Sequence, residues 1–175
     1  MPTLYILCGP SGCGKTTWAK NFINEHKQEH IHYVSRDEIR FSILEEDDDY
    51  FAHEVEVFKQ FTTSLAQALL ADFDVIADAT HLNAYSRKRL TNAIDMYIHK
   101  YEIIYVVFNT IFNQCLINNE EREGRSYVHP NVISGMFRSY KKPVLTEDSR
   151  AKHIISVGEE ERNFAYLNWP YGMEV

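Results

Sequence analysis

Short apolar runs along the chain alternate with longer stretches whose apolar residues recur every third or fourth position. Residues 4–8 are apolar throughout and stop at Gly9, as expected of a strand buried on both faces of a parallel sheet. Trp18, Phe22 and Ile23 at helical spacing predict a helix over 15–27. A short strand is expected at 31–34. Ser35, with Glu38 three positions on, has the form of a capping box opening a helix through Ile39 and Leu44. Phe51, Val55, Phe58, Phe61 (or Thr62), Leu65 and Leu69 mark a long amphipathic helix. Residues 74–78 read as a third strand, 84–100 as a helix, and the β-branched and aromatic run 103–108 as a fourth strand. A polar helix follows from about Thr110, then a charged segment at 120–129. Pro130 suits the first turn of another helix, and 153–157 reads as a fifth strand. Phe164, Tyr166, Trp169 and Tyr171 are expected to pack the tail, 158–175, back onto the body.

This alternation predicts a doubly wound α/β fold: a five-stranded parallel sheet covered by helices on both faces, with ligands beyond the carboxyl ends of the strands. A length of 175 residues fits one domain over 1–175. No apolar run approaches the roughly 20 residues of a membrane span, and no basic segment precedes the first apolar stretch, so no membrane partner is expected. Cys8, Cys13 and Cys115, odd in number and widely spaced, give neither a disulfide framework nor a zinc pattern, and a cytoplasmic location is expected. The 18 Lys and Arg against 25 Asp and Glu leave a net charge of −7, which argues against a protein that coats nucleic acid. A small basic pocket for one nucleotide or one strand end remains compatible with that balance.

Gly9-Pro10-Ser11-Gly12-Cys13-Gly14-Lys15-Thr16 matches G-x-x-x-x-G-K-[ST] in full, after a strand and before a helix that continues with Thr17. The glycines let backbone N–H groups turn inward around phosphate oxygens, and the helix start adds its positive dipole end. Lys15 is then expected at the β- and γ-phosphates and the Thr16 hydroxyl on Mg²⁺. Cys13 has no base within sequence reach and reads as a small filler. The chain is too short for most motor ATPases and lacks the guanine-reading N-K-x-D motif, so ATP and a small kinase core are expected.

The acceptor side is less sharply written. Asp37 and Arg40 share one helix face, where a carboxylate can take a hydroxyl proton and a guanidinium can grip a phosphate. An Asp in a first turn is equally well explained by the helix dipole. Asp78, at the tip of an apolar strand, is placed to act near Mg²⁺ or its water shell, or to cap the following turn. Arg87 reads either as part of a solvated helix face or as a substrate contact. Arg122 and Arg125 lie in a mixed-charge segment that either forms a surface loop or folds over the nucleotide. The five acids at 45–49 read as a solvated loop. His26 and His30 lack a third ligand, and His81, next to the Asp78 turn, is better placed than they are to take part in the site or else satisfies loop backbone groups.

Taken together, the segment 9–16, Arg36-Asp37-Glu38-Ile39-Arg40, Asp78-Ala79-Thr80-His81-Leu82-Asn83 and Asn119-x-x-Arg122-x-x-Arg125 resemble a known group. It comprises the kinase half of the bacteriophage-type polynucleotide 5′-kinases and the wider P-loop kinases that include zeta-toxin-like and other small-substrate enzymes. The likeness runs from residue 4 to about 157. It implies a three-layer P-loop NTPase fold with strand order 2-3-1-4-5 and ATP-Mg²⁺ bound by 9–17. It further implies Asp37 as general base, Arg40 on the acceptor's phosphate and Asp78 in support. An arginine-bearing lid at about 119–130 would carry Arg122 or Arg125. His81 departs from the Asn usual at its position, and the segment holding the two arginines is more acidic than the group's. The acceptor implied is a hydroxyl, foremost a polynucleotide 5′-hydroxyl. A nucleoside, sugar or other metabolite is the alternative, and an ATP-binding regulator without transfer is a third reading.

Overall fold

The computed structural model describes residues 1–27 and 29–158, so the expected packing of the aromatic tail lies outside the described residues. Among these residues five strands pair in parallel: β1 (Thr3–Cys8), β2 (Ile31–Ser35), β3 (Asp74–Asp78), β4 (Glu102–Phe108) and β5 (Ala151–Val157). Their order is β2-β3-β1-β4-β5, as expected. The connections contain α1 (Lys15–Glu25), α2 (Arg36–Ile43), α3 (Glu54–Leu70), α4 (Ala84–Asp95), α5 (Phe112–Glu120) and α6 (Pro130–Ser139).

Alternation along β1 assigns the two faces of the sheet. Leu4, Ile6 and Cys8 pack with Phe61, Leu65 and Leu69 of α3 and Leu90 and Ile94 of α4. Leu7 points the other way, into a cluster with Ala19 of α1, Phe112 and Cys115 of α5 and Ile133 of α6. Both faces of the central strand are therefore dry, which is why 4–8 has no polar position. Among the described residues no helix is long and apolar enough to cross a membrane.

Three local expectations shift. The buried stripe of α3 begins at Val57, whereas Phe51 and Val55 stay exposed, because Glu54 at the helix start turns toward arginines of α2. Helix α4 stops at Asp95, five residues early. The N–H groups of Tyr97 and Ile98 both turn back to the Ile94 carbonyl, and Asp95 is taken up by the Tyr101 hydroxyl and Arg150. Ser35 does accept from the Glu38 N–H, but the reciprocal capping box forms at Asn83 and Ser86 instead.

Arg87 is neither a solvated surface residue nor a substrate contact. It is 1% exposed, and Nε and Nη2 donate to the two Glu147 oxygens, each at 2.8 Å. Nη1 donates to the carbonyls of His81 and Lys141 at 2.9 and 3.0 Å. This bidentate pair bolts α4 to the segment that leads into β5. Replacing Arg87 with Leu leaves a carboxylate and two carbonyls short of donors, and we expect a loss of about 3 kcal/mol or more in urea unfolding. The double variant Arg87→Leu/Glu147→Leu should recover a large part of that loss.

Candidate active site

The turn after β1 is fixed by contact with α5. Gly12 has φ +81°, and a Cβ there would stand 2.5 Å from the Cys115 carbonyl oxygen. The Asn118 side chain donates to the Gly12 carbonyl at 2.8 Å, and the Thr110 hydroxyl to the Cys13 carbonyl at 2.9 Å. The Gly9 N–H donates to the Thr80 carbonyl at 2.9 Å, tying the loop to the end of β3. Gly14, φ +95°, precedes α1 with open space around its missing Cβ. Lys15 arches over its own loop, donating to the carbonyls of Gly9 at 3.0 Å and Pro10 at 2.7 Å. Cys13 is buried, and burial pushes its thiol up, which suits a filler and not a nucleophile.

Asp78 closes the floor of the site. Its Oδ2 accepts from the Thr16 hydroxyl at 2.8 Å and from the Tyr33 hydroxyl at 2.6 Å. Burial, then the bond and charge of Asp78, push the Tyr33 phenol upward, so Tyr33 stays a donor. Parallel pairing sets Ser35 beside Asp78, which brings the start of α2 to the same edge of the sheet.

Asp37 sits in the first turn of α2 with its side chain 60% exposed. One oxygen accepts from Arg40 Nη1 at 2.5 Å and from the Tyr50 hydroxyl at 2.9 Å. A cleft of about 350 Å³ is lined by Asp37 together with Gly14, Lys15, Thr16, Thr17, Asp78 and Arg122. Phosphate-binding loop and exposed carboxylate therefore share one space. Ser11 and Gly12 also line it, whereas Gly9 and Cys13 lie behind the loop.

Arg40 does not line this cleft. It is 4% exposed, with Nη1 on Asp37 and Tyr50, Nη2 on Glu54 at 2.8 Å, and its plane 4.3 Å from the Tyr50 ring centre. Its place is behind Asp37 and not in front of an acceptor phosphate, which corrects the expected substrate contact. The two lid candidates also part company. Arg122 Nη1 donates to the Ser11 hydroxyl at 2.9 Å, inside the cleft. Arg125 instead clasps the backbone carbonyls of Glu45 and Glu46 in the acidic loop, away from the phosphate cradle. Nothing in this geometry shows a lid that closes. Buried Asn119 exchanges two hydrogen bonds with the Val128 backbone and so pins the segment between them.

The sequence reading missed Tyr33, Tyr50, Glu54 and Asn118. Tyr33 is one strand position from β2's buried end, and its partner lies 45 residues on; Glu54 reads only as an acid at a helix start. None carries a local signal.

A family model described as an AAA domain (AAA_33) matches residues 4–143. The chain belongs to this family. No curated protein sequence matches it. Among solved structures, this AAA domain is similar to a chain of the Pnkp1/Rnl/Hen1 RNA repair complex, at 23% identity and TM-score 0.66, over 79% of this chain and 43% of that one. It thus spans less than half the length of that relative. A fungal RNA kinase is similar at 15% identity and TM-score 0.60, over 93% and 77%. A gluconokinase from Sinorhizobium meliloti 1021 is similar at 13% and 0.56, over 90% and 84%. At such identities these likenesses concern the fold. What they share with this AAA domain is the P-loop fold, a parallel sheet in the order 2-3-1-4-5 between helices.

Two outcomes follow from the geometry of the cradle. Gly12→Ala forces a Cβ into the Cys115 backbone and should abolish the thermal upshift that ADP gives the native protein. Gly14→Ala meets no protein atom within 4 Å, so the fold should lose only the backbone strain of its positive φ, about 1 kcal/mol, in urea unfolding.

His81 supplies a pH dependence. It is 5% exposed at φ +41°, and Nδ1–H donates to the Leu7 carbonyl at 2.8 Å. Burial, with the charges of Arg36, Lys15 and Arg87, pulls its imidazole down to about 3 despite the Leu7 bond. The unfolded chain binds this proton from about pH 6.5 downward and the folded protein does not. Stability from His81 is thus complete above pH 6.5 and falls toward pH 3, by at most about 1.4 kcal/mol per unit. Asn tolerates the same backbone and can donate to the same carbonyl, so His81→Asn should flatten this part of a pH series of urea melts.

Proposed function

We propose that the chain is an ATP-dependent kinase that transfers the γ-phosphoryl group to a hydroxyl, with a polynucleotide 5′-hydroxyl as acceptor. The observation that carries this reading is the exposed Asp37 carboxylate facing the same cleft as the 9–16 loop and Lys15. A loop that only binds nucleotide has no need of a carboxylate held by two donors at the far end of its cleft.

In this reading the loop amides and the start of α1 hold the phosphate tail, and Lys15 leaves the carbonyls of Gly9 and Pro10 for phosphate oxygens. The Thr16 hydroxyl and the Asp78 carboxylate form a hard oxygen pair that suits Mg²⁺. Among the described residues no group of three or more metal-binding side chains exists, which agrees with an ion held largely by phosphates and water. Mg²⁺ bound there would draw charge from the phosphate oxygens. Asp37 accepts the acceptor's hydroxyl proton as that oxygen bonds to the γ-phosphorus. The bond to the β–γ bridging oxygen breaks, and ADP leaves with its electron pair. Arg122, anchored at Ser11, disperses charge on the transferring group. Arg40, Tyr50 and Glu54 orient Asp37 without touching substrate.

The 5′-hydroxyl acceptor is supported by the likeness to structures of an RNA repair complex and an RNA kinase. One observation favours a small uncharged acceptor instead: the acidic loop at 45–49 borders Asp37 through Tyr50 and repels a polyanion on that flank. Labelled-ATP transfer across 5′-hydroxyl oligonucleotides, nucleosides and sugars decides between them. In either case Asp37→Asn should lower transfer by about 10²- to 10⁴-fold while ADP binding, read by calorimetry, stays intact. Full activity in that variant would refute the base assignment.

A further inference from the structure

Arg40 is buried behind Asp37, and two further cations lie close by: Arg36 on the same helix, and Arg89 on α4, both over the Phe58 ring. Arg40 is held by a carboxylate on each side, Asp37 at Nη1 and Glu54 at Nη2. Nη1 meets Tyr50, which leads into the acidic loop; Nη2 meets Glu54, whose other oxygen holds Arg36. The Arg36 guanidinium lies 5.5 Å from the centre of the Phe58 ring, and that of Arg89 lies 4.0 Å from the same centre. Three guanidiniums thus lie near Glu54 and Phe58, and among the described residues Asp37 is the only other carboxylate bonded into the group.

This excess of positive charge leaves a mark. Burial, followed by the charges of Arg40 and Arg89, pulls the Arg36 guanidinium down to about 10. The Nε atoms of Arg36 and Arg40 are buried without a hydrogen-bond partner. Arg89 is exposed and makes no ion pair among the described residues. Guanidiniums crowded together and incompletely neutralised favour an incoming anion. A strand whose 5′-hydroxyl sits at Asp37 meets carboxylates if it leaves past Tyr50 and guanidiniums if it leaves past Glu54 and Phe58.

We propose that Arg89, with Arg36 beside it on the Phe58 ring, holds a phosphodiester of the acceptor strand beyond its first nucleoside, so that this surface selects an oligonucleotide over a mononucleotide. The proposal rests on the polynucleotide reading and adds to it the path of the strand and the residue that recognises its backbone. Such a contact is electrostatic and blind to base identity.

The test uses the whole chain and two acceptors: a nucleoside 3′-phosphate, and a 5′-hydroxyl oligonucleotide of about ten nucleotides, enough to fill an ordinary single-strand site. In the native protein the oligonucleotide should show the lower KM. Arg89→Gln should cut the KM advantage of the oligonucleotide about fivefold, the scale of one exposed ion contact. It should also reduce the salt slope of oligonucleotide binding by about 0.7, the share of one phosphate on a single strand. Arg89→Lys should keep most of the advantage. Because Arg89 is exposed on α4, circular dichroism of these variants should match the native protein. An unchanged KM ratio and salt slope in Arg89→Gln, with both acceptors still phosphorylated, overturns this proposal and leaves the kinase reading standing. Transfer to neither nucleic-acid acceptor, with a sugar or nucleoside phosphorylated, overturns the polynucleotide reading and this proposal together.

Discussion

The loop after β1 has to lie directly on the backbone of α5, and the rest of the cleft depends on that approach. A Cβ at Gly12 would stand 2.5 Å from the Cys115 carbonyl, so only glycine lets the two main chains meet. Asn118, three residues along the same helix, and Thr110, just ahead of it, add side-chain donors to the loop's outward carbonyls. With those carbonyls engaged from outside, the loop's shape is set before any phosphate arrives. Preorganisation of this kind spares a ligand the cost of ordering its own site.

The acceptor end is built on a different principle. Asp37 is exposed, and its orientation comes from a buried cation that is itself held by Glu54 and stacked on Tyr50. Burying a guanidinium is costly unless its charge and donors are met, and removing either carboxylate strands it. The arrangement therefore ties α2 to the start of α3 through charge as well as packing. It also explains why the first turn of α3 is acidic while its buried apolar stripe starts only at Val57.

The helix-covered parallel sheet was legible because it depends on local pattern: apolar runs at 4–8 and 103–108, and a phosphate-loop motif flanked by a strand and a helix. The strand order came only with the family resemblance, since runs along the chain do not say which strands are neighbours. Arg40 and Arg87 were not legible, for one shared reason. Each is a cation on a helix whose neighbours in sequence give it a plausible surface or ligand-facing role. Their decisive partners, Glu54 and Glu147, lie 14 and 60 residues away. Whether an arginine meets solvent, ligand or a buried carboxylate is settled by tertiary contact, which spacing along one helix does not encode. His81 belongs with Arg40 and Arg87: the sequence offered it backbone groups of its own loop, and its partner is the carbonyl of Leu7 in β1, 74 residues away.

The segment after α5 joins these two differently built ends. Its root is fixed by Asn119, which pairs with the Val128 backbone as a neighbouring strand would. Between those anchors Arg122 reaches Ser11 of the phosphate loop and Arg125 reaches the Glu45 and Glu46 carbonyls beside the acceptor end. The contacts differ in what a ligand can do to them. A phosphate oxygen offers Arg122 a charged acceptor in place of a neutral hydroxyl, a stronger bond at nearly the same position. Arg125 holds two backbone carbonyls of an exposed loop, which a phosphate in the cradle does not replace. The three-residue spacing that made the two arginines look interchangeable in sequence sends them to different partners, Arg122 to the phosphate loop and Arg125 to the acidic loop.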